Sequence, residues 1–320
     1  MERIGANIYV ETVYPGVNIG CIITSTGSVC VDAPMLPGEA QRWMALIRSM
    51  GGEPVEFVVY TSGHQERILG TQYLLYDEQP TRLSQAPTVQ HVLGPQRILF
   101  PAPTARVPVP AQLKMPTGAV VAHRQAWDLV KEHRTDSFKQ QMIDTFGDRD
   151  PDMENLQVIS PQISFNEQLR LFSGDTTVTL LAAASGITWV WLPDQQALFV
   201  GDTVVVGTHP PLNAMVLRKW LAALERLRHE AQFQDAIVVP GRGPLCDTSA
   251  ADPLIEYLHI AFFETRRVYQ SGRPKAELND IAAELLGHYP VADGQRERVQ
   301  RQIKLGLDDL YDQFKASGSE

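Results

Sequence analysis

The sequence predicts an α/β protein in which sheet is covered by helices. Three observations carry this. Short runs rich in β-branched residues end at Gly or Pro, segments with helical periodicity lie between them, and each half of the chain gives strands followed by helices.

The first strands are read in "NIYVETVY", "NIGCIITSTG" and "SVCVDAP", broken at Gly16, Gly27 and Pro34. Residues 38–50 place Ala40, Trp43, Leu46 and Ile47 at helical spacing and stop at Gly51-Gly52. "VEFVVY" is the next strand and delivers the turn "TSGH", after which Ile68-Leu69-Gly70 opens a helix. Residues 78–117 hold eight prolines, which exclude a regular helix or a central strand and predict an ordered, extended flap. Residues 119–146 start as "AVVAH" and continue as a helix. Strands return in "LQVIS", "QISF", "LRLFS", "TVTLLAA", "ITWVWLP" and "ALFVGDTVVV". A helix over 214–230 then leads to the strand "AIVVPG".

The tail is helical. Leu254, Tyr257, Leu258, Ala261, Phe262, Thr265 and Tyr269 recur at three- and four-residue steps, and two further amphipathic segments follow. The expected division is a domain over 1–250 and a helical extension over 251–320 packed on it, with a homodimer through these helices as the other use of their apolar faces.

Composition narrows the function classes. A net charge of −9 argues against nonspecific nucleic-acid binding, which needs a basic face. No apolar run is long enough for a membrane span, and the N-terminal "MERIGANIYV" lacks a signal-peptide core, so a cytoplasmic location is expected. Cys21, Cys30 and Cys246 form no C-x-x-C pair and read as small buried hydrophobes.

Four motifs in order carry a resemblance: "GSVCVDAP", "VVYTSGHQERILGTQYL", "LPDQQALFVGDTV" and "VVPGRGP". Over roughly residues 2–250 the chain resembles the metallo-β-lactamase-fold superfamily of hydrolases. The resemblance implies a four-layer αββα sandwich, with the helical C-terminal extension following the last motif. It also implies a two-metal site, and there the sequence departs. The positions that carry ligands in that superfamily hold Ser62, His64, Glu66, Arg67, Ala183, Asp202 and Arg242. Of these, His64 and Asp202 are unchanged and Glu66 is similar.

Arginine stays protonated and cannot ligate a cation. At an effective dielectric near 20, a unit charge about 4 Å away contributes about 4 kcal/mol of repulsion per unit of ion charge. No metal cofactor is therefore expected. Arg67 and Arg242 are expected to fill the former metal space, pairing with Glu66 and Asp202, and to offer guanidinium forks to a small anionic ligand. Asp32, after a buried strand, is expected to accept hydrogen bonds from the 61–66 turn. The alternative is a hydrolase with one zinc, iron or manganese ion held by His64, Glu66, Asp202 and His209. The leading reading is a degenerate, ligand-binding member of the superfamily.

Overall fold

The computed structural model describes residues 1–76, 117–214 and 216–317. The proline-rich segment expected to form a flap lies outside the described residues, apart from Thr117, whose amide donates to Leu75 O at 2.8 Å.

The N-terminal half lays down one sheet in chain order. It runs β1 (Glu2–Arg3), β2 (Ile8–Glu11), β3 (Ile19–Ile23) and β4 (Ser28–Val31), all antiparallel. Helix α1 (Pro37–Ser49) crosses over to β5 (Val55–Tyr60), which pairs parallel with β4. Pro37 stands in the first turn of α1, where its missing N–H is not needed. Ala40, Trp43, Met44 and Ile47 form the buried stripe of this helix.

Two short helices follow, α2 (Gln65–Ile68) and α3 (Thr71–Leu75). The chain re-enters the sheet as β6 (Ala119–His123), parallel to β5. The single helix expected after "AVVAH" is in fact two, α4 (Arg124–Glu132) and α5 (Asp136–Phe146). Thr135 separates the two helices by capping α5, its Oγ1 accepting from Phe138 N at 3.2 Å. β7 (Ile163–Phe165) closes the sheet.

The expected strand "LQVIS" joins no sheet. Leu156 and Ile159 are buried among the helices of this layer, and Ile159 O accepts from Tyr60 Oη at 3.0 Å. That carbonyl is thus satisfied by a side chain instead of a ladder.

The second sheet contains β8 (Gln168–Ser173), β9 (Thr176–Ala182), β10 (Thr188–Leu192) and β11 (Ala197–Val205), antiparallel throughout. Helix α6 (Leu217–His229) then carries the chain to β12 (Ile237–Arg242), parallel to β11. Helices α7 (Ala251–Gln270), α8 (Leu278–Leu286) and α9 (Arg296–Ser317) complete the chain.

Three apolar clusters define four layers. One lies between the first sheet and α1, with Trp43, Ile47, Val58 and Val130. The second lies between the sheets, where Ile22, Val59, Val121, Val190 and Phe199 meet. The third joins the outer face of the second sheet to the helices, and its members run from Trp189 and Leu224 to Leu258, Leu285 and Leu307. The C-terminal helices therefore share one core with the second sheet. Strands such as β4 and β10 are buried along their whole length, as sandwiched strands require. Among the described residues no helix is long and apolar enough to cross a membrane.

The sandwich is stitched at one edge. Asn18 Nδ2 donates to Pro240 O and Gly243 O at 2.9 and 2.8 Å, and Thr188 N donates to Thr61 O at 2.8 Å. The ends of β4, β5 and β12 and the bulged part of β11 meet there.

Candidate functional site

Asp32 follows β4 and is fully buried, in a left-handed conformation (φ 57°) uncommon for a non-glycine residue. Its carboxylate accepts from Thr61 N at 2.7 Å and Thr61 Oγ1 at 2.5 Å, so it holds the turn after β5. That turn ends at His64, the residue before α2, and α2 turns Arg67 inward.

The Arg67 side chain is 1% exposed. Its Nη1 donates to Asp32 Oδ2 at 2.8 Å, and its Nη2 donates to Asp202 Oδ1 at 2.5 Å and to Gly241 O at 3.3 Å. The β11–β12 register shifts around Gly201, a bulge that aims Asp202 out of the ladder. Arg242, at the end of β12, reaches the same Asp202 oxygen through Nε at 3.4 Å. Burial opposes ionisation of Asp202, but Arg67 and Arg242 hold its carboxyl below the usual range. Burial pushes Asp32 upward, against the pull of Arg67 and Thr61. Burial likewise disfavours the charge on Arg67, and the two carboxylates raise its pKa regardless.

Gly241 is required by this packing. A Cβ there would stand 2.4 Å from Asp202 Oδ1 and 2.6 Å from Arg67 Nη2.

The expected partnership is corrected in one respect. Asp202 does take both arginines, but Glu66 takes neither, and Asp32 supplies the second carboxylate. Consecutive residues on a helix point about 100° apart, so Glu66 cannot follow Arg67 into the interior. Glu66 instead lies half-buried beside Gly16. The arginine fork expected for anions is also spent, since both Arg67 terminal nitrogens donate to carboxylates. Of the two arginines, Arg242, with its side chain 37% exposed, is the one whose terminal nitrogens face no carboxylate among the described residues.

Ser62 is buried, and its Oγ accepts from His64 N at 3.3 Å. Ala183 sits just beyond β9, its amide bonded to Ile187 O at 2.9 Å in a tight turn through Ser185 and Gly186. His209 is not brought to the site. It packs against Tyr257 of α7 and against Tyr289, with ring centroids 6.0 and 5.4 Å apart.

Among the described residues no three His, Cys, Asp or Glu side chains converge to hold a metal ion. The donor set of a metallohydrolase centre is not met by these residues. Asp202 Oδ1 has two guanidiniums at contact distance, where an ion would need an open lone pair.

Beside Asp202 lies a cavity of about 240 Å³. Ser62, His64, Gln125, Ser185, Asn213 and Asp202 contribute its polar groups, and Ala126, Leu129, Ala184, Ile187, Val216 and Trp220 most of its apolar wall. Trp220 and Asn213 carried no motif signal; only their helical and loop positions after β11 place them here.

No family model matches the sequence, and no curated protein matches it. Solved structures do. A β-lactamase domain protein from Burkholderia ambifaria has 13% identity and a TM-score of 0.62, covering 99% of this chain and 88% of that one. A metallo-β-lactamase family protein from Thermus thermophilus has 13% identity and a TM-score of 0.59, covering 98% and 94%. The stereoselective inverting sec-alkylsulfatase from a Pseudomonas species has 12% identity and a TM-score of 0.63, over 98% of this chain and 49% of that one.

Proposed function

The chain has the metallo-β-lactamase fold, and we propose that within it the two-metal hydrolase centre has been replaced by an arginine lock, leaving a protein that binds a small molecule without metal chemistry. One observation carries this: the buried Arg67 guanidinium lies between Asp32 and Asp202 and donates to both. Two carboxylates and two guanidiniums sum to no net charge, so the centre needs no cation for balance. In the hydrolase mechanism bound metals generate hydroxide and clamp the substrate oxygen. Here no donor set among the described residues supports either role.

The 240 Å³ cavity supports the binding half of the reading. It is concave, largely apolar and supplied with a few polar groups, which is how small-molecule sites are built. The alternative set of His64, Glu66, Asp202 and His209 does not come together.

The test is metal content by elemental analysis, on protein purified without chelator or histidine tag, followed by melting with and without added zinc. The expected result is a substoichiometric metal content and an unchanged melting temperature. Zinc, iron or manganese near one equivalent per chain would overturn the proposal.

A further inference from the structure

The lock described above also fixes what the cavity can recognise. Asp202 Oδ1 accepts from Arg67 and Arg242, while Oδ2 accepts from no described residue, although Asp202 lines the cavity. Arg67 and Arg242 hold this carboxylate ionised against its burial. Neither arginine lines the cavity, so the wall offers an anionic oxygen with no guanidinium facing a ligand.

The rest of the wall is mainly apolar, with Ser62, His64, Gln125, Ser185 and Asn213 as its other polar residues. Trp220 uses its indole N–H on Thr203 O at 2.8 Å, so it presents ring carbon to the space. Ala126, Leu129, Ala184 and Ile187 add only hydrocarbon. An anion here would meet Asp202 with no fork to receive it. An ammonium group would leave water for a carboxylate that is already paired with guanidinium, in a cluster with no net charge. A neutral donor escapes both costs, because a charged acceptor strengthens the hydrogen bond it receives. The size is also telling: benzene fills a dry cavity of about 150 Å³, so this one has room for a ring and a short substituent.

Resting on the metal-free reading above, we infer that the cavity binds a compact uncharged molecule, an apolar ring or branched chain bearing one hydroxyl or N–H that donates to Asp202 Oδ2. Its apolar body lies against Trp220 and Leu129, and its donor points toward the bulge of β11.

A series of single-ring probes decides this: benzyl alcohol, toluene, benzylamine and benzoate, titrated into the full chain with its metal content already measured. Binding is read by ligand-observed NMR and calorimetry. Benzyl alcohol is expected to bind at least tenfold tighter than benzoate, and tighter than toluene and benzylamine. Leu129→Trp, which fills the cavity from α4, is expected to abolish the binding while the fold is retained by circular dichroism; Ala184→Leu serves if that variant fails to fold. Preference for benzoate would overturn the inference in favour of an anion site. Preference for benzylamine, equal binding of all four, no binding up to millimolar concentrations, or undiminished binding to a folded cavity-filled variant would each overturn it too. The two proposals fail separately. Stoichiometric metal sinks the arginine lock, whereas metal-free protein that ignores benzyl alcohol sinks only the ligand class.

Discussion

The Arg67 guanidinium reaches Asp202 across the two sheets at 2.5 Å, with its other terminal nitrogen 2.8 Å from Asp32. This fork ties α2 and β4 to β11, and it is almost wholly removed from water. Buried ion pairs of this kind contribute little net stability but are costly to break, because the orphaned partner stays buried. Arg67→Met is therefore expected to destabilise the fold by about 3–5 kcal/mol. The loss should show as a fall in the urea midpoint, with an unchanged slope. Replacing all three together, as Asp32→Asn, Arg67→Met and Asp202→Asn, should cost less than the single change. A greater cost would mean that the charges themselves stabilise the native state.

Gly241 tests the same lock from the backbone. A methyl group on it would press into Asp202 Oδ1 and Arg67 Nη2, neither of which is the free end of a mobile chain. Gly241→Ala is expected to cost about 1–3 kcal/mol, the range for overpacking a tight interior. The same change in the Arg67→Met background should cost less, since one of the three close contacts is gone while Asp202 and the Gly201 backbone remain. Equal costs in both backgrounds, measured by chemical denaturation, would show the contacts to be independent.

How far the sequence reached is visible in these residues. The strands β4, β5, β10 and β11 are legible as short apolar runs, and the helices α1, α6 and α7 by their helical spacing, with Gly51 and Gly272 ending α1 and α7. The segment "LQVIS" misled because its apolar pattern serves helix packing as well as a strand. The substitutions at positions 67 and 242 announced that arginine had come where ligands were expected, and Asp202 was rightly placed with both. Asp32 was legible as the acceptor for the turn after β5, but its pairing with Arg67 was not. That partner depends on which way a short helix faces, and two adjacent charged residues, Glu66 and Arg67, look equally able to turn inward in one dimension. The cavity was invisible for the same reason: its wall draws on α4, the β9–β10 turn and α6, which no local pattern links.

The C-terminal helices offer a third prediction. Leu254, Tyr257, Leu258 and Ala261 of α7 and Leu307 of α9 are fully buried in the cluster that covers the second sheet. Truncation after residue 250 would expose the face of α6 that packs on α7, and with it part of this cluster. The truncated chain is expected to bind a hydrophobic dye strongly and to lose its cooperative melt. A truncated chain that melts cooperatively would show residues 1–250 to fold alone. A single core change, Leu258→Ala, should cost about 2–5 kcal/mol by the rule for buried leucines.

The last prediction concerns pH. His209 is enclosed by the rings of Tyr257 and Tyr289, whose buried hydroxyls have no hydrogen-bond partner among the described residues, and the Tyr289 backbone is the polar group that favours its charged form. Burial, foremost, and the nearby His288 hold the His209 pKa below its ordinary value of 6.5. Protonation would place a charge among rings that offer it no carboxylate contact; Glu256 adds only an electrostatic effect on Tyr289. The unfolded chain binds that proton more readily than the native one, so stability rises with pH across the interval between the two values. The contribution of His209 is fully present above about pH 6.5 and is lost as the pH falls toward the lowered native value. His133, whose pKa is also lowered chiefly by burial, adds a slope of the same sign. Urea midpoints measured from pH 8 to pH 5 are therefore expected to fall on the acid side. His209→Phe should flatten part of that fall, and the double variant with His133→Phe most of the rest. An unchanged slope in the double variant would assign the acid sensitivity to other groups.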